Sequence, residues 1–296
     1  MSKKKNNIDA LKRALDYDWP EIQKHLIEQS AEDKRIQEDE DGAKYHIDDE
    51  GRKVLHLDLD SWWLDRFDRD DVIMEMPGLV LMNSKPWHRD SICSTVRDAY
   101  DVSQNQDCDD CFAPKDILAH IERFPEGQFV AMRISGPVAG NAVAAAVTMR
   151  TSRPPSAPAL PWLEAIGDMR LGAHEPNGQW LYGVELAVHS MYRGLGIATN
   201  LYQLRFQLIK QLNLRGWYVI GMLMGYKRYA DTMNVREYGE KVVAGEIKDP
   251  TVSLQLKRGF RPKHVVTDYC DEPAAGDAGL LMVWENPDYR AGAVAQ

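Results

Sequence analysis

Apolar residues recur along this 296-residue chain with two periods, and each period marks a different kind of element. Near the start, Ile8, Leu11 and Leu15, then Ile22, Leu26 and Ile27, return every three to four residues, as on one helix face, with Pro20 breaking the run. Residues 37–51 are crowded with carboxylates and hold Gly42 and Gly51, which predicts an exposed linker. Val54 to Asp60 then alternates apolar and polar strictly, the period of a half-buried strand.

From about residue 77, strands and helices come in mixed order. Gly78 to Met82 reads as a strand, and 88–103 and 114–123 read as helices, the second with Pro114 at its first position. Gln128–Met132 and Asn141–Met149 read as neighbouring strands joined through Gly136, Pro137 and Gly140. Residues 150–178 hold five prolines and three glycines and follow neither period, so they predict a long loop of the kind that often serves as a lid. Trp180 to His189 is a β-rich apolar run. Leu201, Leu204, Leu208, Ile209 and Leu212 trace one face of a helix expected to end near Gly216, and Trp217–Met224 is another strand.

Composition narrows the classes. A 44% hydrophobic fraction with 8 Trp and 12 Tyr excludes disorder throughout. No window approaches the roughly 18 apolar residues of a membrane helix, and the start lacks the apolar stretch of a secretory signal. Four cysteines make no disulfide framework, so a reducing cytoplasm is the expected location. The net charge of -9 is unevenly placed: residues 1–76 hold 21 acidic and 13 basic side chains, and the rest hold 24 and 23. Neither part has the basic stripe that nucleic-acid binding needs.

The chemistry concentrates where a strand opens through Arg193, Gly194, Leu195, Gly196, Ile197 and Ala198 into a helix. Glycines allow a tight turn with no Cβ between backbone and ligand, and the first helical N–H groups lack internal partners, so the turn is an anion site. Arg193 adds a cation, and Thr199 offers a hydroxyl. A dinucleotide fingerprint would want a third glycine where Thr199 stands, and a carboxylate about 20 residues on, where none occurs.

Arg193, Gly196 and Ala198 instead fill Arg-x-x-Gly-x-Ala. With Leu186 to His189 and Tyr192 ahead of it, this resembles the acyl-CoA-binding motif of the GNAT (N-acetyltransferase) superfamily, over roughly residues 77–290. The resemblance implies an α+β fold with a mixed, mostly antiparallel central sheet flanked by helices. Its late helix would be Asp249–Arg258, stopped by Gly259 and Phe260, and its terminal hairpin would pair 262–269 with 279–285. Residues 1–76 then form an acidic N-terminal extension, helical and then linker and strand, and 291–296 form a tail. Leu212 to Gly216, Gly225, Tyr226, Tyr229, Ala230, Asp249 and Pro250 resemble two subsets more narrowly: the acyltransferase half of carbon–nitrogen hydrolase fusions, and the GNAT-like loading domains of polyketide synthases.

The family pattern implies roles for particular residues. Backbone groups of Leu186, Ala187 and Val188 would hold the pantetheine arm. Amides from Gly194 to Ala198, with Arg193 and Thr199, would hold the pyrophosphate. Glu185 would take the proton from the incoming amine, a task suited to a half-buried carboxylate of raised pKa. Relatives often carry Tyr four residues before the terminal Gly-Phe to protonate the leaving thiolate. Here Gln255 stands there, so that Ser253, Tyr226 or Tyr229 substitutes, or the thiolate leaves unassisted, or the reaction is not ordinary N-acetylation.

The expected function is acyl transfer from acetyl-CoA, or another short acyl-CoA, to an amine by direct attack, with no metal. The acceptor is a small-molecule amine or a carrier protein, and the assembly considered is a homodimer. Nucleic acid and membrane are not partners. Two alternatives stand beside it: transfer to a carrier-protein thiol or acyl-CoA decarboxylation, and a non-catalytic acyl-CoA-binding protein whose acidic segment docks a partner. Elsewhere, His56, Asp58 and Asp60 share one face of a strand but are read as its solvent side, and Cys108 with Cys111 lacks the second ligand pair of a zinc site.

Overall fold

The computed structural model describes residues 66–292 except 104–107, 109–110 and 135–138, together with Trp63 and the backbone of three short strands, Gln37–Glu38 (β1), Lys44–Ile47 (β2) and Lys53–Leu55 (β3). The helical pattern before residue 36 and the trio His56, Asp58 and Asp60 lie outside the described residues. Strands β1, β2 and β3 pair antiparallel in that order, Gln37 with Tyr45 and His46 with Val54. Two of them fall in the stretch read as a linker. Runs of charge and glycine separate hairpin strands as readily as they separate domains, and pattern alone does not distinguish the two.

The chain forms two compact units. One is Met1–Met82 with Met132–Asn141; the other is Asn83–Ala131 with Ala142–Gln296. In the first, Val72–Met76 (β4) pairs antiparallel with the strand Leu79–Asn83 (β5), which runs just past the unit's end. The exposure of β4 alternates, which marks a half-buried strand that its four-residue apolar content did not announce.

The second unit holds the rest of the sheet and the helices: Arg89–Ala99 (α1), Pro114–Arg123 (α2), Trp162–Ile166 (α3), Ile197–Gln211 (α4), Val235–Ala244 (α5) and Val252–Lys257 (α6). Its strands are Phe129–Arg133 (β6, ending in the other unit), Ala142–Thr151 (β7), Trp180–Val188 (β8), Gly216–Met222 (β9), Arg261–Val266 (β10) and Gly279–Glu285 (β11). They lie in the order β10-β11-β9-β8-β7-β6. β10 with β11, β11 with β9 and β7 with β8 pair antiparallel, and β8 with β9 pairs parallel, so the sheet is mixed and mostly antiparallel, as the resemblance implied. β7 is buried at nine of its ten positions, the mark of a central strand covered on both faces, and its run of alanines lets α1 come close enough for Thr95 Oγ1 to donate to the Ala142 carbonyl at 2.9 Å.

The parallel join matters most. Trp180, Leu181 and Tyr182 face Gly216, Trp217 and Tyr218, and no registered pair continues beyond them, although both strands run on. The remaining halves of β8 and β9 therefore leave their inner edges unzipped. Side chains alternate across the sheet here. On the α4 side, Trp217 joins Tyr202, Phe206 and Phe260 in one aromatic cluster, with centroids 5.0–5.3 Å from Trp217. On the other side, Tyr182 and Tyr218 lie 5.1 Å apart under the 151–165 loop.

Three elements differ from expectation. α4 stops at Gln211, not at Gly216, because Asn213 takes the left-handed turn (φ 45°). Gly216 instead opens β9, where a Cβ would lie 2.3 Å from the Trp284 carbonyl, so glycine is needed for close strand approach. α5 was not predicted, although Asn234 caps it by accepting from the Glu237 amide at 3.0 Å and Tyr238 and Val242 bury at helical spacing. α6 begins three residues after Asp249. Asn213 also exchanges two bonds with the Arg290 backbone, at 2.8 and 2.9 Å. Asn213→Ala should therefore destabilise the fold by about 1–2 kcal/mol, measured by urea unfolding, because it loses both bonds and puts a Cβ-bearing residue without polar compensation at positive φ.

Candidate functional site

The turn before α4 has the geometry of an anion cradle. Gly194 and Gly196 have φ +81° and +83°, and a Cβ at either would meet nothing within 4 Å. Their backbone therefore borders open space in a conformation that L residues resist. No side chain caps α4, so its first amides at Ile197, Ala198 and Thr199 face that space. Leu195 is 57% exposed beside them.

Arg193 sits differently from the sequence expectation. Its Nε donates to the Val188 carbonyl at 3.2 Å and its Nη2 to the Ala99 carbonyl at 2.8 Å. The cation that meets the mouth is Arg258, just past α6, whose Nη2 donates to Thr199 Oγ1 at 2.7 Å. Sequence reasoning missed Arg258, which reads as one more polar residue at a helix end.

Glu185 lies on the unzipped half of β8. Its carboxylate accepts from Tyr100 Oη at 3.1 and 3.0 Å and from the Leu186 amide at 2.8 Å. Burial raises its pKa to about 7, against the opposing pull of Tyr100, the Leu186 N–H and the Arg205 charge. Leu186 N–H, expected to meet the pantetheine arm, is thus taken by the neighbouring carboxylate, and the Val188 carbonyl is taken by Arg193. Ala187 is buried opposite Ala145.

Tyr100 caps α1, and that helix end is tied to the loop before α4. Asp98 accepts from the Ser190 amide and hydroxyl and lies 3.4 Å from His189 Nδ1, while Arg193 holds Ala99. Nothing in the sequence marked Tyr100, which stands 85 residues from its partner.

Two of the hydroxyls proposed as proton donors meet the backbone around α5 and α6. Tyr226 Oη donates to the Met233 carbonyl at 3.2 Å, and Ser253 Oγ accepts from the Asp249 amide at 2.9 Å. Tyr229 stacks on Tyr238 with centroids 5.3 Å apart. The hydroxyl that reaches Glu185 is Tyr100's. Gln255 is buried with its Oε1 unpartnered, against the backbone of Gly221 on β9.

β7 runs to Thr151, two residues into the stretch read as loop; from 152 to 178 the chain is loop apart from α3, and the Trp162 backbone N–H donates to the Tyr269 carbonyl at 2.6 Å. Pro154, Pro158, Leu160, Tyr182, Tyr218 and Ile220 line a small cavity beneath it. Tyr182 and Tyr269 share a 2.8 Å hydroxyl contact at its floor. Cys108 and Cys111, which the sequence did not mark as a zinc site, are joined as a disulfide. Among the described residues, no group of three or more His, Cys, Asp or Glu side chains is placed to hold a metal ion, and no helix is long and apolar enough to cross a membrane.

No protein-family model matches the chain. It is 32% identical over 192 residues to the uncharacterized N-acetyltransferase YkwB of Bacillus subtilis strain 168, covering 62% of this chain and 83% of that protein. It is 33% identical over 174 residues to the probable hydrolase YhcX of the same organism, covering 58% of this chain but only 33% of that larger protein. Two solved structures share the fold, each covering 70% of this chain and 98% of its own. The loading GNAT-like domain of CurA from Lyngbya majuscula has TM-score 0.57 and 14% identity, and the GphF GNAT-like decarboxylase in complex with isobutyryl-CoA has 0.56 and 17%. With this sheet, this glycine turn into α4 and a relative matched over most of its length, the chain belongs to the GNAT acyltransferase superfamily.

Proposed function

We propose that the protein transfers a short acyl group, acetyl first among them, from acyl-CoA to an amine by direct attack. The observation that carries this reading is Glu185: a carboxylate with a pKa raised to about 7, on the unzipped edge of β8 that leads to the α4 turn. In this reading Glu185 takes a proton from the bound ammonium, and the freed lone pair attacks the thioester carbon. The carbon–sulfur bond then breaks with its electron pair staying on sulfur, and the second nitrogen proton passes to that thiolate, leaving the amide and CoA thiol. Holding both partners at one edge provides most of the acceleration.

The Gly194–Ala198 amides, Thr199 and Arg258 would hold the pyrophosphate. The backbone of Leu186, Ala187 and Val188 would hold the pantetheine arm once acceptor binding draws the Glu185 carboxylate off the Leu186 amide. The acceptor would enter from the Tyr182 side, under the 150–178 loop. Thermal stabilisation by CoA, followed by a CoA-release assay across amine and acyl-CoA panels, tests the proposal. Absence of stabilisation overturns it. Gly196→Val should abolish that stabilisation and raise the Kd for CoA at least about tenfold, since the side chain would stand where the phosphate rests.

Gln255 favours one second reading. An amide cannot protonate a thiolate, and the two solved relatives are a decarboxylase and a loading domain. Acyl transfer to a carrier-protein thiol, or acyl-CoA decarboxylation, would then replace amine acylation. A mass shift of a phosphopantetheinylated carrier, or release of carbon dioxide, would support it, and silence in both assays would remove it.

A further inference from the structure

Tyr100 belongs to no motif, yet its hydroxyl reaches both oxygens of Glu185. It leaves 37% of its surface to solvent while the hydroxyl turns inward. A tyrosine at a helix end would ordinarily swing between rotamers, but this end is fixed twice. Asp98 binds the Ser190 amide and hydroxyl, and Arg193 bridges the carbonyls of Ala99 and Val188. The last turn of α1 is thus locked to the segment that leads into the proposed phosphate cradle. Arg193 makes two bonds that a shorter or monodentate side chain cannot make together.

We infer that Tyr100 is a positioning residue that acts through Glu185, and that Arg193 serves this pair by clamping the α1 end rather than by meeting a phosphate. The inference rests on the reading of Glu185 as the base. An O–H donated to a carboxylate favours its charged, proton-accepting form and aims its remaining lone pairs at the acceptor. The groups that face this pair come from four places. Tyr100 is on α1, the Leu186 N–H on β8 and Arg205 on α4, while Tyr269, Cys270 and Glu272 lie in the segment before β11 and bear on Tyr100. Among the described residues, only Tyr100 and Leu186 hydrogen-bond to the carboxylate, so the hydroxyl can be deleted without touching the rest.

The test is kcat/KM against pH for wild type, Tyr100→Phe, Arg193→Gln and Glu185→Gln, with CoA stabilisation confirming that each is folded. Tyr100→Phe should move the acid limb to higher pH by about one unit, lowering kcat/KM about fivefold at pH 7 while KM for acyl-CoA holds. Arg193→Gln should move the limb in the same direction by less. Lost activity with an unmoved limb, or an unchanged profile, in Tyr100→Phe overturns the positioning role. An unmoved limb in Arg193→Gln overturns the clamp. A limb that persists in Glu185→Gln shows instead that the base is another group, which is a failure of the functional reading and separable from the other two.

Discussion

Glu185→Gln should lower turnover about 10²- to 10³-fold and leave CoA affinity within a few fold. The magnitude is that of losing a positioned general base, since an amide cannot accept the ammonium proton. Gln keeps the volume and can still accept the Tyr100 hydroxyl, so the α1 end should stay in place. Its one oxygen can also keep the Leu186 amide, because Glu185 Oε1 already accepts from both Tyr100 and Leu186. The sign with pH follows from burial. The carboxylate is raised to about 7, so the base is fully charged above that value and wild-type kcat/KM should fall about tenfold per unit well below it. In the variant the acid limb should vanish and leave a low, flat rate. Steady-state CoA release between pH 5.5 and 9 measures both features. A variant at full rate would assign the base elsewhere, with Tyr269 and Cys270 the next titratable groups beside Tyr100.

The glycine turn and the helix behind it were legible from sequence because their signals are local: two glycines, a preceding β-rich run and an apolar stripe at helical spacing. Strands β6 to β9 were legible for the same reason, each being a short apolar run bounded by turn residues. What could not be read depends on contacts between distant residues. Tyr100 acquires meaning only when the end of α1 meets β8, and Arg258 only when the end of α6 meets the start of α4. Arg193 was assigned to the phosphate by its motif, yet the fold gives it two carbonyls, because the last carbonyl of α1 and the end of strand β8 lie within reach. The end of α4 was misplaced for a simpler reason: Asn and Gly both accept positive φ, and the nearer Asn213 won. α5 carried readable cap and spacing signals, but it lies between a tyrosine-rich turn and a glycine, where no strand flanks it.

Asp249→Ala should destabilise the protein by about 3–4 kcal/mol, the largest effect expected from a residue outside the proposed chemistry. Asp249 is 2% exposed and accepts four hydrogen bonds. Oδ1 takes the amides of Thr251 and Val252, both at 2.8 Å; Oδ2 takes the Gly225 amide at 2.9 Å and the Tyr238 hydroxyl at 3.0 Å. One carboxylate therefore holds the turn after β9, the middle of α5 and the start of α6. Removing it strands four donors, three of them buried, whereas Tyr238→Phe removes one donor and its need together and should cost only about 1 kcal/mol. The two changes share a bond, so the double variant should be less destabilised than the sum of the singles. Urea midpoints for the three variants measure this, and strict additivity would show that the carboxylate and the tyrosine act independently. The effect should reach the α4 turn proposed to hold CoA as well, because α6 carries Gln255 and leads directly to Arg258, whose bond to Thr199 depends on where that helix starts. At temperatures where Asp249→Ala is still folded, CoA should bind more weakly to it than to Tyr238→Phe. Equal affinities would separate the α6 start from the α4 turn.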